Sequence, residues 1–353
     1  MSTIGDLRVS NMNSLLRAAK TVVLLAFICS IARPYASGAD KVSAADLPKH
    51  AIEQSQVTVT GTPPFHLRAK ITEATNPDND GYKAEIDEYW AAPDKWKRTV
   101  ETGDFSQTLI VNGGKTSEQI TGDYYPNWLR TLVTAIFDPA PALEGVDMSQ
   151  SSDNPMIGGS LFCRRFAFRA GIPPIGNNVF STFCFDGSLL ESVGKPGYTA
   201  AYKNYKKFAG KQVARKIREY IEPGTELEAS IVELSELHNA DEASFAVEKP
   251  ATPLETLRVT EAVLRGLVVG TPVVQWPTIH GGKPVGVLSI YVCIDRGGKV
   301  REIYSLNSDH PEMSDAARMQ VMKWQLKPAV NRNGTHVQLE SILTFAYETK
   351  IAP

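Results

Sequence analysis

The chain has 353 residues, of which 42% are hydrophobic and 22% are charged, and its formal net charge is −2. This length allows two domains of ordinary size, each with its own core. The balanced charge excludes the basic surplus by which proteins hold nucleic acid, so we expect no nucleic-acid partner.

The N-terminus has the three parts of a secretory signal peptide. Arg8, Arg17 and Lys20 precede an apolar run over 21–32, and small residues follow the run. The run is shorter than the ~20 residues that a membrane-spanning helix needs. We therefore predict a signal peptide over 1–39 and a periplasmic or cell-envelope location, with an uncleaved inner-membrane anchor as the alternative.

Strand patterns dominate the next region, 45–237. Apolar and polar residues alternate there, and turn pairs such as Asp80-Gly81 separate the runs, which predicts an antiparallel sheet. One helix is predicted over 125–137, because its apolar residues recur every three or four positions. The basic run over 203–218 is either the solvated face of strands or a contact for phospholipid headgroups.

Two cysteines fall in neighbouring apolar runs of this region. Cys163 and Cys184 flank the Gly/Pro/Asn stretch over 171–178, and a hairpin would place them side by side. Export to an oxidising compartment favours a disulfide between them, and two buried thiols are the alternative. Cys293 has no evident partner and is predicted to be a small apolar residue on a strand.

The strings AAPDKWKRTVE and TLIVNGGKTSE, in this order after an early strand, resemble carriers of the LolA/LolB type. Pro93, Trp96, Arg98 and the turn over 112–114 carry the likeness. The resemblance implies a strongly curved antiparallel sheet that wraps over helices and holds lipid in an apolar cavity. It also implies a lipid or a lipoprotein as partner.

A polar, acidic stretch over 238–251 is predicted to be a linker to a second domain over 252–353. A capping box predicts a helix from Thr252 to about Gly266. Two strands, a helix that stops before Lys327-Pro328, and a final strand follow. The helix places Met313, Ala317, Val321 and Trp324 on one apolar stripe that can lie on a sheet.

This second region resembles the TonB C-terminal domain family. The residues that carry the likeness are Trp276, Pro277, Ala317, Val321, Trp324 and Pro328. The resemblance implies binding of an extended peptide, from an outer-membrane receptor or another envelope protein, by strand addition at an open sheet edge. We expect that edge on the final strand, which carries Gln338, Glu340 and Ile342 on one face.

Signs of catalysis are missing from the sequence. The six histidines are scattered, and no nucleophile motif, metal-ligand spacing or cofactor fingerprint occurs. Asn76, Asp78 and Asp80 imitate the start of a calcium loop, but strand-like flanks favour a hairpin turn. We therefore predict a protein that is not an enzyme, with no catalytic residues, no metal and no cofactor.

Together these patterns predict an α+β protein, with a curved antiparallel sheet and helix first and a small antiparallel sheet with helices second. The predicted function is that of an envelope protein that binds a partner peptide through the second domain, in TonB-dependent transport across the outer membrane. The alternative is a periplasmic carrier of lipid or lipoprotein that works through the first domain.

Overall fold

A computed structural model of the chain describes residues 46–139, 146–155, 161–168, 180–195, 198–222, 225–238, 241–251, 253–281, 283–308 and 310–351. These residues belong to one compact unit. The predicted signal peptide over 1–39 lies outside the described residues.

The alternating segments form one large antiparallel sheet of twelve strands. In β1 and β2 apolar side chains take one face and polar side chains the other, as in Phe65, Leu67 and Ala69 against His66, Arg68 and Lys70. The strands are β1 Phe65–Glu73, β2 Ala84–Ala92, β3 Lys95–Thr102, β4 Phe105–Asn112, β5 Lys115–Thr121, β6 Val146–Pro155, β7 Leu161–Phe168, β8 Phe180–Asp186, β9 Leu189–Lys195, β10 Tyr198–Phe208, β11 Lys211–Glu222 and β12 Thr225–Glu236.

Neighbours in this sheet are mostly neighbours in sequence. The order is β5-β4-β3-β2-β1-β12-β11-β10-β9-β8-β7-β6, so two meanders join where β1 pairs with β12. The basic run over 203–218 lies on β10 and β11. There Lys216 and Arg218 form ion pairs with carboxylates of β12, whereas Lys203 is exposed.

Two helices lie against the apolar face of the large sheet: α1 Leu47–Ser55 and α2 Asn127–Phe137. Nine of the eleven residues of α2 are buried, and the other two, Arg130 and Thr134, lie one turn apart on a single partly exposed stripe. A helix on a flat sheet would expose a wide polar face to water, whereas no residue of α2 is fully exposed. Since α2 contacts both β3 and β11, which are four strands apart in the order, the sheet curves around it.

The second sheet has four strands: β13 Thr256–Arg258, β14 Val285–Ile294, β15 Val300–Asn307 and β16 Gln338–Glu348. Its order is β13-β16-β14-β15. β13 runs parallel to β16, pairing Thr256 with Gln338 and Arg258 with Glu340, and the other pairs are antiparallel.

The expected α+β class with two antiparallel sheets is wrong. The described chain is mainly one large curved antiparallel sheet with few helices, and the second sheet is small and mixed. The helices of the described chain are short and few, so strands dominate both regions. The three residues of β13 return beside β16 as a parallel strand, which makes the second sheet mixed.

The helices of the second sheet are α3 Glu261–Leu267 and α4 Pro311–Val321. The expected helix from Thr252 is wrong in its start, because residues 256–258 pair with β16 instead. Thr260 caps α3, and its side chain accepts a hydrogen bond from the Val263 N–H at 3.4 Å. α4 packs its apolar stripe on one face of the sheet, and Trp324 follows the helix.

Candidate functional site

The enclosed helix α2 and the concave face of the large sheet form the candidate site. Apolar and aromatic side chains from strands on both sides of the β1–β12 pair belong to the same core as the helix. They include Phe65, Leu67, Ile71, Ile86, Trp90, Val100, Ile217, Ile221, Leu227 and Ile231, all buried in one core with Leu129, Leu132, Val133 and Ile136 of α2. The middle of the helix is therefore held by apolar contact.

Polar groups hold the C-terminal end of α2. The Arg98 guanidinium lies over the Phe137 ring, 3.8 Å from its centroid, and pairs with the fully buried carboxylate of Glu88 at 2.5 Å. Burial raises the pKa of Glu88, and Arg98 opposes this shift. The Thr58 hydroxyl also donates to the Phe137 carbonyl oxygen at 2.7 Å.

A buried carboxylate of β11 meets the middle of α2. The Thr131 hydroxyl lies 2.5 Å from the nearer carboxylate oxygen of Glu219, whose side chain is buried. Burial raises the pKa of Glu219 well above its usual range, and the hydrogen bond from Thr131 opposes the shift. Glu219 stands between Ile217 and Ile221 on the same face of its strand.

The N-terminal end of α2 is fastened to the second sheet. The Tyr125 N–H donates to the side-chain oxygen of Gln338 at 2.6 Å, and the Gln338 amide donates to the Tyr125 carbonyl oxygen at 3.2 Å. The Asn127 N–H donates to Glu302 at 2.7 Å. Arg130 forms an ion pair with Glu340.

We call this meeting of α2 and the second sheet the junction cluster. Its members are Tyr124, Tyr125, Asn127, Arg130, Tyr291, Cys293, Glu302, Tyr304, Gln338 and Glu340. Burial raises the pKa of Glu302 and also that of the Cys293 thiol. Burial raises the pKa of Tyr125 to about 12. The cluster is thus a desolvated polar contact in which Arg130 supplies positive charge.

The expected strand-addition edge is occupied by the chain itself. Gln338 and Glu340 lie on β16 between β13 and β14, and their side chains are used in the junction cluster. Ile342 is 9% exposed and packs in the same contact. Further along, the Thr344 N–H donates to Glu261 at 3.1 Å, so α3 covers the strand there. A guest strand would have to displace these partners.

The other predicted residues of the second region fall on or near its core. Ala317, Val321 and Trp324 are buried there with Met313. Trp276 packs against Phe345 and Tyr347 with ring centroids 6.0 and 5.7 Å apart, and Pro277 accepts a hydrogen bond from Thr349. Pro328 is exposed, beyond the helix end.

The predicted disulfide between Cys163 and Cys184 is confirmed. The two cysteines face each other across β7 and β8, with Cα atoms 4.0 Å apart. Cys293 is a buried free cysteine on β14, as expected.

Sequence reasoning missed the buried acids. Glu88, Glu219 and Glu340 are buried and Glu302 is half-buried, and all four lie in strands, where acidic residues usually face water. One signal was available for two of them, since Glu88 and Glu219 each interrupt an apolar face, between Ile86 and Trp90 and between Ile217 and Ile221. The pairing of Glu302 and Glu340 with α2 leaves no such local signal.

Other kinds of site find less support. A groove of about 300 Å³ lies on the outer face of β1–β3, but charged side chains such as Arg68, Lys70 and Asp87 line it. Within the described ranges, no group of three His, Cys, Asp or Glu side chains is placed to hold a metal ion. No helix in the part of the chain that the structure describes is both long and apolar enough to cross a membrane.

No family model and no curated protein matches the chain. Solved structures similar to it include an outer membrane lipoprotein-sorting protein domain from Vibrio parahaemolyticus (11% identity, 57% of this chain, 95% of that chain, TM-score 0.34). They also include a LolA superfamily protein from Nitrosomonas europaea (9% identity, 58% and 98%, TM-score 0.36) and a DUF1329 family protein from Desulfovibrio piger (8% identity, 57% and 95%, TM-score 0.36). None of these findings supports the resemblance to TonB.

Proposed function

We propose that this protein is a cell-envelope carrier that holds an apolar, lipid-like ligand between α2 and the concave face of the large sheet. The ligand class is a lipid or the acyl chains of a lipoprotein. The observation that carries the proposal is the enclosed position of α2, which fills a trough lined by apolar side chains.

The size of the trough supports this proposal. A helix of eleven residues is roughly 16 Å long and about 10 Å across, so its departure would open a space of about 1,200 Å³, slightly above the ~300–1,000 Å³ of typical ligand pockets. The walls are the apolar faces of β1, β2, β11 and β12. Each methylene group of a ligand buried there would contribute about 0.8 kcal/mol to the free energy of binding.

The contacts at the two ends of α2 favour a helix that moves as a unit. Arg98 and Thr58 hold its last turn, and Gln338, Glu302 and Glu340 hold its first. When a buried ion pair opens to solvent both charges regain water, so opening it costs less free energy than removing one partner. In this proposal the second sheet holds α2 in place, so that the helix covers the apolar trough when no ligand is bound.

The first experiment is chemical. Protein purified from the envelope fraction without detergent is extracted with organic solvent, and the extract is analysed by mass spectrometry. The proposal predicts lipid in stoichiometric amount. Lipid-free protein that also fails to bind a fluorescent fatty acid would overturn the proposal.

The second experiment locates the ligand. Phe137→Ala removes the ring beneath Arg98 and weakens the attachment of α2 to the sheet, so less free energy is needed to displace the helix. The apparent affinity for a fluorescent fatty acid should then rise about tenfold for each 1.4 kcal/mol by which the cost of displacing the helix falls. Phe345→Ala is the matched control, because Phe345 is equally a buried phenylalanine but packs on Trp324 in the second core. Equal affinities of the two variants would contradict a site under α2.

A further inference from the structure

Four large apolar side chains are exposed close together on the second region. Met319 is 64% exposed, Met322 39%, Val269 53% and Val273 78%. Met319 and Met322 lie on the outer side of α4 and its end, three residues apart and therefore on one face. Clustered exposure of this kind marks a surface that meets another apolar surface.

Hydrogen bonds show that the loop over 268–276 runs beside the end of α4. The Gln320 side chain accepts from the Gln275 N–H at 2.7 Å and donates to the Gln275 carbonyl oxygen at 2.8 Å. The Val269 N–H donates to the Gln325 carbonyl oxygen at 2.8 Å. We call Val269, Val273, Met319 and Met322 the apolar ridge.

The apolar ridge is bordered by positive charge. Lys323 and Lys327 are exposed, and no described carboxylate lies within ion-pair distance of either ammonium group. From Arg318 to Arg332 the sequence contains no Asp or Glu. The nearest acidic residue before this stretch is Asp315, which lies one turn before Met319 on the same side of α4.

The apolar ridge faces away from the large sheet. α4 covers the face of the second sheet that carries Ile290 and Val292, whereas Tyr291 and Cys293 on the opposite face contact the junction cluster. The outer side of α4 is therefore a convex surface on the far side of the second sheet, accessible to a planar partner.

We propose that the apolar ridge and its lysines dock on a membrane surface rich in anionic phospholipid. Apolar side chains enter the boundary between headgroups and acyl chains, while lysines beside them attract the headgroup phosphates. A second copy of the chain fits less well, since a symmetric contact would bring like charges together. This docking goes beyond the carrier function and does not depend on it.

The test is sedimentation of the full chain with vesicles of phosphatidylglycerol mixed with phosphatidylcholine, or of phosphatidylcholine alone. Every variant keeps the same N-terminus, so the apolar run over 21–32 contributes equally to each. We expect Lys323→Gln/Lys327→Gln to weaken binding to the anionic vesicles about tenfold, and Met319→Gln to weaken it severalfold. Val287→Gln is the matched control, because Val287 is 45% exposed but lies on the opposite face of the second sheet.

A second readout is specific to the site. Anionic vesicles should slow the oxidation of Met319 by hydrogen peroxide severalfold, and phosphatidylcholine vesicles should leave the rate unchanged. Unchanged Met319 oxidation on vesicle-bound protein would overturn the proposal, as would equal binding of the lysine variant and Val287→Gln. Protection of Met319 that depends on protein concentration without vesicles would assign the ridge to a contact between copies and likewise overturn it.

Discussion

Replacing Arg130 with methionine tests whether the junction cluster fastens α2 to the second sheet. Arg130 pairs with Glu340, whose side chain is only 5% exposed. Methionine preserves much of the apolar stem but removes the guanidinium group. A carboxylate that stays buried then loses the cation that compensates it.

The magnitude follows from the surroundings of the pair. Breaking a buried ion pair by removing one partner costs ~3–5 kcal/mol. Two features reduce this cost here, because the Arg130 side chain is 28% exposed and Arg258 remains 3.5 Å from Glu340. We expect the free energy of unfolding to fall by about 2–3 kcal/mol, which for a folded unit of this size corresponds to a fall of roughly 3–5 °C in Tm.

Guanidinium and thermal unfolding, followed by tryptophan fluorescence, measure this loss. Arg218→Met is the matched control, since it removes a guanidinium from more exposed pairs on β11 and β12 and should cost less than ~1 kcal/mol. The double variant Arg130→Met/Glu340→Gln should recover stability relative to Arg130→Met, because no buried carboxylate remains and Arg258, which loses Glu340 as its partner, is 44% exposed to water. A loss in Arg130→Met no larger than in Arg218→Met would refute the assignment of a buried fastening.

Three further predictions concern single features of the fold. Because burial raises the pKa of Glu219, the contribution of this residue to stability is full below the ordinary glutamate pKa and is lost as pH rises through the folded-state pKa. Glu219→Gln should therefore be more stable than the wild type at pH 7.5, and the difference should shrink towards pH 4. Urea unfolding at both pH values measures this difference. Reduction of the Cys163–Cys184 disulfide, whose cysteines are 21 residues apart, should cost ~3 kcal/mol in the same assay, and an unchanged midpoint would contradict a bridge in the folded protein. Gly298→Ala should lower Tm far more than Gly210→Ala in calorimetry. Both glycines have positive φ, but only at Gly298 would a Cβ atom collide with a backbone oxygen, that of Leu326, at 2.1 Å. Equal effects of the two substitutions would show that this contact has no energetic role.

Local pattern was enough to predict most strands of the large sheet and the position of α2. The alternation in β1 and β2 is regular, and α2 is apolar at helical spacing, so short-range sequence determines both. The sequence also places Cys163 and Cys184 on two runs joined by a turn-rich stretch, which is why their pairing could be predicted.

Contacts between distant segments could not be predicted. β13 has three residues and no alternating pattern of its own, so nothing local indicates that it closes the outer side of β16. Glu302 and Glu340 contact α2, which is more than 150 residues away in the chain. A strand that reads as an open edge thus becomes an interior strand with a buried polar face.

The most direct test of the carrier account is hydrogen–deuterium exchange of the delipidated protein with and without a long-chain fatty acid. The account predicts that the ligand changes amide exchange over Asn127–Phe137 and over the facing strands β1, β2, β11 and β12, while β14 keeps its exchange rates. Exchange that stays the same throughout α2 at saturating ligand would contradict a ligand held between this helix and the sheet.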